Sequence, residues 1–414
     1  MSYLDLDLNL SKEDRMLKEA AHEFARDVMR PTAWEMDRMT AEESVGPNSP
    51  LWDFKKKAYE LDFHTILVPD SYGGMGLSPF QQALVIEELA WGSVGLTVDL
   101  AVAAFPSFLA SMVPEEDIIE EIILPFCDCK DGKICGCWAI TEPMHGSDTL
   151  LPFYPSFSDP AIPADCTAAP DGDFYVINGQ KAAWVSGAPY ATHAALFCQI
   201  DSKMGHAGGG IVIVPLHLPG VSRGAPLEKL GQRDDPQSEL YFDNVRVPAK
   251  YCIVGPDAYE AMLEITLSFT TVLMGVLSVG IGRAAFEEAL NYAKTRVQCG
   301  KALIEHQDVQ KKLFNMFSKV EMMRQMTRAA HVFNQNTSTP AEEYSLICKV
   351  HGTQWAFEVC SEAIQIFGAT GLTKEYIVEK LFRDARAMMI EDGSNDVLAI
   401  AAGHKIIENY PRRD

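Results

Sequence analysis

Basic residues are scarce in this chain. Among its 414 residues, 35 Lys and Arg stand against 57 Asp and Glu, and the formal net charge is −22. No block of Lys and Arg offsets the negative charge locally, so the surface repels phosphate backbones and anionic membranes. This balance disfavours nucleic-acid binding, and an anionic substrate would require a local basic pocket.

Long apolar runs and regularly spaced cysteines are also missing. Even the stretch 265–281 contains Thr, Ser and Gly, so we expect no segment to reach the roughly 18 uncharged residues of a membrane span. The N-terminus, MSYLDLDLNLSKEDR, is acidic and lacks the pattern of a secretory leader. The ten cysteines are not spaced as in disulfide-rich secreted chains. We therefore expect a reduced, cytoplasmic protein without a membrane span.

Helical spacing of apolar residues dominates the first third of the chain. The hydrophobic content of 47% allows large cores, and the length suggests two or three domains. Ser11 is expected to cap the first helix, and Pro31 is expected to end it. Further helices are expected at 51–62, 79–91, 94–112 and 115–124.

A β-rich segment begins at residue 134, where short β-branched and aromatic runs are separated by Gly, Pro and Asn-Gly signals. Within it, the proline-rich residues 151–172 are expected to form a long surface loop. The spacing of helices returns at Tyr259 and continues to Glu408. Breaks are expected at Gly300, 334–340 and 368–371.

The order of helices, strands and helices predicts a fold that is mainly α with a central β-domain. The expected domains are 1–133, 134–250 and 251–414.

Three carboxylates surround a glycine near the end of the chain, in the run Glu-Asp-Gly-Ser-Asn-Asp of residues 391–396. The run follows the apolar residues 388–390. Acidic groups beside a nearly dry pocket are suited to proton abstraction, because burial raises a carboxyl pKa. We therefore expect the chemistry of this protein near residues 391–396.

Four cysteines form a CxCx₅CxC pattern at Cys127, Cys129, Cys135 and Cys137. Four thiolates can close a tetrahedral metal site. The CxC spacing is tighter than that of zinc knuckles, and Cys137 falls on a predicted strand. We interpret these residues as buried or incidental thiols and predict no metal site.

Several motifs, in the same order along nearly the whole chain, resemble the acyl-CoA dehydrogenase family. They are LSKEDRMLKEAAHEFARD, VPDSYGGMGLS, WAITEPMHGSD, NGQKAAWVSG, KLGQRDDPQSELYFDNVRVP, YAKTRVQCGKALIEHQDVQKKL and the segment from QIFGATGL to EDGSND. The resemblance implies a helical N-domain, a β-barrel-like middle domain and a C-terminal four-helix bundle. It also implies a homotetramer (or dimer) that binds one FAD per subunit.

The resemblance assigns cofactor-binding roles to two groups of residues. Residues expected on the FAD of their own subunit are Ile140, Thr141, Ser147, Trp184, Ser186, Ser394 and Asp396. Residues expected on the FAD of a neighbouring subunit are Arg296, Gln298, His306, Gln307, Gln365, Gly368 and Ala369. Taken singly, Trp184 could equally be a core residue and Arg296 a solvated helix charge. The sequence departs from the family at Met144 and His145, where Gly and Ala are usual.

Asp392 stands at the position of the family's catalytic glutamate. The resemblance implies that its carboxylate takes the α-proton of an acyl-CoA, while its backbone amide binds the thioester oxygen. Aspartate is one methylene shorter than glutamate, and the neighbouring Glu391, where the family has tyrosine, is a second candidate. Gly393 and Ser147 are expected beside the substrate. Thr270 occupies the family's other base position and cannot serve as a base.

Asp99 lies in an apolar helix that lines the far end of the acyl cavity in this family. A lone buried carboxylate is unfavourable, so we favour an exposed or salt-bridged Asp99. The other hypothesis is that Asp99 contacts a polar or cyclic acyl group, or removes a proton remote from the thioester in an extended elimination.

The leading functional hypothesis is an FAD-dependent acyl-CoA dehydrogenase that forms an enoyl-CoA and passes electrons to an electron-transfer flavoprotein. The expected acyl group is branched, cyclic, aromatic or dicarboxylic. The alternative is a nitroalkane-oxidase-like flavoenzyme, which also uses an aspartate base, although the arginine of that branch is Ala399 here. A non-enzymatic scaffold is the third hypothesis.

Overall fold

The computed structural model describes residue 6 and residues 10–410. Most of the acidic N-terminal stretch, on which the expectation of no secretory leader rests, lies outside the described residues.

The first helix, α1 (Lys12–Phe24), begins as the sequence predicts. The Asp14 N–H donates to Ser11 Oγ at 3.0 Å, and the Ser11 N–H donates to the Asp14 carboxylate at 3.0 Å. The prediction that Pro31 ends the helix was wrong. A π-helical segment (Ala25–Met29) leads directly into α2 (Arg30–Met36). Pro31 falls in the first turn of α2, where a missing N–H is tolerated.

The helices predicted at 51–62, 79–91, 94–112 and 115–124 are confirmed, and a short helix at Ala41–Ser44 was not predicted. The elements are α3 (Ala41–Ser44), α4 (Leu51–Glu60), α5 (Pro79–Gly92), α6 (Val94–Met112), α7 (Glu116–Ile118) and α8 (Leu124–Asp128), with a further π-helical segment (Ile119–Ile123) between α7 and α8. Ser78 caps α5 by accepting the Gln81 N–H. Most residues of α5 and α6 are buried.

Eight strands form one sheet in the described middle of the chain. They are β1 (Gly136–Ala139), β2 (Thr167–Asp171), β3 (Phe174–Ser186), β4 (His193–Gln199), β5 (Gly209–Pro215), β6 (Val221–Arg223), β7 (Gln237–Pro248) and β8 (Cys252–Val254). The order is β6-β7-β3-β2-β4-β5-β8, and β1 pairs in parallel with β4. This sheet between two helical regions confirms the predicted fold class.

The proline-rich segment 151–172 is not a loop throughout, as the sequence suggested. Its last residues form β2, which pairs antiparallel with β3 across a turn at Gly172. The φ of Gly172 is +61°, a backbone conformation that glycine adopts readily. Phe157, in a 3₁₀ turn (Pro155–Ser158), is buried. Pairing with β3 satisfies the backbone of this segment despite its prolines.

Five helices follow: α9 (Pro256–Thr295), α10 (Gln307–Gln335), α11 (Glu342–Phe367), α12 (Val378–Met388) and α13 (Asn395–Asn409). The predicted breaks at Gly300, 334–340 and 368–371 are confirmed. At Gly300 the chain forms a small hairpin of β9 (Val297–Gln298) and β10 (Lys301–Ala302). The structure adds a break at 389–394, between α12 and α13.

Helix α9 lies at the centre of the molecule and packs against α5, α10 and α11. The expectation that no segment reaches about 18 uncharged residues was wrong for α9, whose residues 265–282 are uncharged. By length and composition α6, which contains Asp99, is also apolar enough to span a membrane. Within their most apolar stretches, 78% of the α6 residues and 94% of the α9 residues are buried inside the protein. These two helices therefore belong to the core.

A buried charge cluster joins the N-terminal helices to the C-terminal ones. Glu87 and Glu88 on α5 face Arg283 on α9, and Glu87 also faces Arg324 on α10. The Arg283 Nη1 donates to Glu87 at 2.8 Å, and the Arg324 Nη2 donates to the same carboxylate at 2.9 Å. The forked guanidinium can satisfy several buried carboxylate oxygens at once.

Candidate active site

The turn between α12 and α13 holds the predicted base in an unusual backbone conformation. Asp392 has φ +49° and Gly393 has φ +99°. A Cβ on Gly393 would lie 2.8 Å from Leu150 Cδ1 and 2.9 Å from Leu398 Cδ2. The Asn395 N–H closes the turn by donating to the Met389 carbonyl at 3.1 Å. Left-handed backbone at a non-glycine residue is uncommon and concentrates at functional sites.

A buried lysine lies under this turn. Lys349, on α11, donates from Nζ to the Gly393 carbonyl oxygen and to Asn395 Oδ1, the latter at 2.8 Å. Burial lowers the pKa of Lys349 to about 8, and the nearby Asp392 and Glu391 act in the opposite direction. Sequence reasoning missed Lys349, because a single lysine in a helix is most often a surface residue.

The two neighbouring acids differ in pKa. Burial raises the pKa of Asp392 to about 6, opposed by the positive charge of Lys349. Burial raises the pKa of Glu391 to about 8, although Gln232 Nε2 donates to its carboxylate at 3.0 Å. Asp392 has the lower pKa and a lysine beside it, so it ionises more readily than Glu391. Of the two candidates, Asp392 is therefore the better proton acceptor.

The loop 229–237 of the middle domain connects the turn to the sheet. Its Gln232 binds Glu391 and donates its backbone N–H to Asp384 on α12 at 2.5 Å. Lys380 donates to Asp234 at 2.9 Å and to Asp384 at 2.5 Å. The run Gln-Arg-Asp-Asp resembles a solvated turn in the sequence, because the partners of these acids lie far away in the chain.

Ser186 is held by the same loop. Its hydroxyl donates to Asp235 Oδ2 at 2.7 Å and accepts from Gln237 Nε2 at 2.9 Å. The other oxygen of Asp235, Oδ1, is buried and has no hydrogen-bond partner within the part of the chain that the structure describes. Burial raises the pKa of Asp235 to about 7. The Ser186 hydroxyl can therefore donate to a cofactor only when its hydrogen bond to Asp235 is broken.

The segment after β1 is fixed to β3. The Thr141 carbonyl accepts the Ala182 N–H at 2.8 Å, and the Ile140 carbonyl accepts Lys181 Nζ at 2.9 Å. The Trp184 side chain, two residues beyond Ala182, is 61% exposed. A rigid strand end beside a large uncovered indole fits the flat ring of a flavin.

Ser147 connects this segment to the turn that carries Asp392. Its Oγ accepts the Ser394 N–H at 3.0 Å. The predicted residues Ser147, Gly393 and Ser394 therefore lie together, although about 250 positions separate Ser147 from the others in the sequence.

The residues predicted to bind a neighbour's FAD lie on one exposed surface. Tyr292 near the end of α9 stacks on Phe367 at the end of α11, with ring centroids 4.0 Å apart. Arg296 and Gly368 follow these two aromatic residues in the chain. Gly368 has φ +64° and no atom within 4 Å of a built Cβ. Arg296, Gln298, Gln307, Gln365, Gly368 and Ala369 are exposed, as is Asp396 in the first turn of α13, and His306 is half-buried.

The exposed guanidinium of Arg296, the open backbone at Gly368 and the uncovered Trp184 could hold a cofactor such as FAD. Arg296 and the backbone at Gly368 would hold its phosphates, and Ile140, Thr141 and Trp184 would hold its ring.

Two predicted substrate residues are already engaged inside the protein. Asp99 is buried and accepts from Lys55 Nζ at 2.8 Å and from the Tyr190 hydroxyl, so the favoured salt-bridge interpretation is confirmed. Thr270 is buried, and its hydroxyl donates to the Leu267 carbonyl at 3.5 Å.

An apolar cavity of about 40 Å³ lies between α5, α6 and α9. Its lining includes Ile86, Leu89, Thr97, Leu100, Ala101 and Leu273. Asp99 is not part of the lining, so its carboxylate is not presented to this cavity.

The four cysteines of the CxCx₅CxC pattern are all free and buried. Cys129 Sγ interacts with Asp131 at 3.4 Å, and Cys135 Sγ interacts with the Tyr190 carbonyl at 3.8 Å. Within the described residues, these thiols do not converge on a common ligand position.

Three domain families match consecutive parts of the chain. They are the acyl-CoA dehydrogenase N-terminal domain over residues 11–113, the middle domain over 137–245 and the C-terminal domain over 261–406. A Bacillus subtilis (strain 168) protein described as probable acyl-CoA dehydrogenase YngJ is 31% identical over 97% of this chain and 100% of its own length.

Two further proteins show the same relationship. Cyclohex-1-ene-1-carbonyl-CoA dehydrogenase of Geobacter metallireducens is 28% identical and covers 96% of this chain and 99% of its own. The solved structure of butyryl-CoA dehydrogenase from Megasphaera elsdenii has a TM-score of 0.85 at 25% identity, covering 97% of this chain and 100% of that one. With the three domain matches in order and a full-length relative at 31% identity, the chain belongs to the acyl-CoA dehydrogenase family of FAD-dependent oxidoreductases.

Proposed function

We propose that this enzyme removes the α-proton and the β-hydride of an acyl-CoA thioester, and that Asp392 is the base. The α C–H bond breaks with its proton going to the Asp392 carboxylate, and a double bond forms to the β-carbon. FAD, when bound, supplies the acceptor of the β-hydride. The observation that carries the proposal is the left-handed turn that holds Asp392, which Lys349 fixes through the Gly393 carbonyl and Ser147 fixes through the Ser394 N–H.

Three groups of the chain prepare Asp392 for this role. Lys349 fixes the turn through the Gly393 carbonyl and favours the ionised carboxylate. Ser147 fixes the other side of the turn through the Ser394 N–H. The Asp392 backbone N–H is proposed to bind the thioester oxygen, which becomes more negative as the proton leaves.

The proposed substrate carries a compact apolar acyl group, branched or cyclic. The cavity beside α6 is small and lined by apolar side chains. A second carboxylate on the acyl group is disfavoured there, since the nearby cation, Lys55, is already paired with Asp99. The similarity to dehydrogenases named for butyryl-CoA and cyclohex-1-ene-1-carbonyl-CoA agrees with a compact group. An electron-transfer flavoprotein is the proposed acceptor, and the exposed Trp184 marks where it would approach.

Anaerobic titration of the FAD-loaded enzyme with acyl-CoAs, followed by flavin bleaching, tests the proposal. Compact apolar acyl-CoAs should bleach the flavin in the native enzyme. In Asp392→Asn the bleaching rate should fall by about 10²–10⁴-fold, the usual contribution of a general base. Asp308→Asn, at an exposed helix position, is the matched control and should leave the rate unchanged.

Rapid bleaching by Asp392→Asn would remove Asp392 as the base. Bleaching of the native enzyme by a nitroalkane, but by no acyl-CoA, would assign the enzyme to the nitroalkane-oxidase-like alternative.

A further inference from the structure

Two histidines and an aspartate meet beside the segment that carries Ser147. His145, Asp148 and His206 each offer a possible ligand atom, and these atoms all lie within 4.8 Å of one another. His145 Nδ1 is 3.0 Å from Asp148 Oδ2. The two imidazole rings meet edge to face, with centroids 4.6 Å apart. His145 stands where the family usually has alanine, so this cluster is a departure from the family pattern.

His206 lacks a partner that a buried imidazole normally has. Only 6% of the residue is exposed, and its Nε2 has no hydrogen-bond partner anywhere in the described chain. Buried side-chain nitrogens of native proteins are nearly always paired. The unpaired nitrogen belongs to a ring that packs edge to face against a second histidine, and it indicates an absent ligand.

The distances suit a single cation. Imidazole nitrogens and carboxylate oxygens lie about 2.0–2.2 Å from a bound zinc ion, so two such ligands at the tetrahedral angle are about 3.3–3.6 Å apart. The His145 Nδ1 to Asp148 Oδ2 separation of 3.0 Å is a few tenths of an ångström shorter than this. The largest separation, within 4.8 Å, requires a shift of at most about 1.5 Å. Asp148 is exposed in the 3₁₀ turn Ser147–Leu150, and its side chain can make that shift.

We propose that His145, Asp148 and His206 form a binding site for a divalent transition-metal cation. Two imidazoles and one carboxylate are a donor set for Zn²⁺, Co²⁺ or Ni²⁺, and they disfavour Mg²⁺ and Ca²⁺, which take oxygen ligands. The remaining coordination positions are open to water. The assignment does not depend on the base or the substrate proposed above.

A second set of possible metal ligands, Glu142, His145 and Asp165, shares His145 with the first. This second set is the poorer site. The Glu142 carboxylate, however, already accepts Lys181 Nζ at 2.6 Å, the Asp165 N–H at 2.6 Å and the Cys166 N–H at 3.1 Å. A cation there would have to displace a buried lysine, so the site is assigned to His206 and not to Glu142.

A bound cation would fix the loop 142–148 to the 3₁₀ segment Ser202–Gly208, which carries His206. The same loop carries Ser147, which accepts the N–H of Ser394 in the Asp392 turn. The site would therefore stiffen one wall of the candidate active site without contacting the base.

Calorimetric titration with Ni²⁺ tests the site on the FAD-loaded enzyme. The titration uses a Cys299→Ser background, since Cys299 is an exposed thiol that could bind the ion by itself. We expect one Ni²⁺ per chain in this background and loss of that equivalent in His145→Ala. Alanine is the usual family residue at this position, so the variant should fold. His217→Ala, which removes an exposed histidine elsewhere, should retain the equivalent.

X-ray absorption at the nickel edge supplies a second readout. The spectrum should show two imidazole ligands, and His206→Gln should reduce this number. Should His206→Gln fail to fold, the His145→Ala titration decides alone. Equal Ni²⁺ binding by the background and by His145→Ala would overturn the proposal. Absence of binding at millimolar Ni²⁺ would also overturn it, and would assign the unpaired Nε2 to a water in the small polar cavity that His206 lines.

Discussion

At the scale of single residues, the decisive feature is the electrostatic setting of Asp392. Two effects on its carboxylate oppose each other: burial raises the pKa, and the positive charge of Lys349 lowers it. The activity of the enzyme should therefore fall as the pH drops below about 6, because Asp392 becomes protonated there.

Replacing Lys349 with methionine removes the only positive charge that lowers the Asp392 pKa within the described residues. The acid limb of kcat/KM should move to higher pH, since the ionised carboxylate loses its support. The Gly393 carbonyl and Asn395 also lose a donor, and the free energy of unfolding should fall by roughly 1–3 kcal/mol. A pH profile and chemical denaturation measure the two effects. Lys349→Arg keeps the charge and should restore much of the profile, and an unmoved acid limb in Lys349→Met would contradict the electrostatic role.

The local part of the site could be predicted from sequence, and its supporting residues could not. Asp392 belongs to a visible cluster of acids around a glycine, and a family motif marks its position. Gln232 acts through partners more than 150 positions away, and Lys349 and Asp235 act through partners 44 to 49 positions away, so their immediate neighbours in the sequence give no signal. His145 and His206 meet for the same reason only in the folded chain.

At the scale of elements, α12 acts as a clamp on the loop 229–237. Lys380 is buried between Asp234 and Asp384, and it donates to both. The apolar spacing of the sequence predicts a helix here. The ion pairs of Lys380 with Asp234 and Asp384, in contrast, depend on where α12 lies relative to the sheet. Local propensity also failed at Pro31, where a π-helical segment carries the chain into α2, and at β2, where pairing with β3 outweighs a high proline content.

Lys380→Met should leave two buried carboxylates without their cation. Breaking a buried ion pair costs about 3–5 kcal/mol, so the free energy of unfolding should decrease by about that amount. Urea denaturation of the variant measures the change, with the exposed Lys374→Met as the matched control. A stability equal to that of the control would show that Lys380 is not required for the clamp.

At the scale of the whole molecule, a single chain carries only part of the proposed cofactor site. The surface around Arg296 and Gly368 is exposed and lies on the C-terminal helices, whereas the exposed Trp184 lies on β3 of the sheet. Completion of the site by a second copy of the chain is therefore a prediction about assembly as well as about binding.

Arg296→Ala should lower the FAD content per chain while leaving the circular dichroism spectrum unchanged, because the side chain is exposed. Added FAD should restore part of the flavin absorbance and activity. Lys294→Ala, two residues earlier and also exposed, should keep full FAD content. Equal FAD content in the two variants would exclude Arg296 from the cofactor site.

The cluster of Glu87, Arg283 and Arg324 limits how this architecture can change by recombination. Three sequence families divide the chain into segments, yet these charges sit on helices from the first and the last of them. A chimera that takes its N-terminal segment from one relative and its C-terminal helices from another keeps the cluster only if both parents match at all three positions. A mismatch would leave a buried charge unbalanced. Sequence comparison treats the first and last segments as separate domains. The buried cluster nevertheless requires that they be exchanged together.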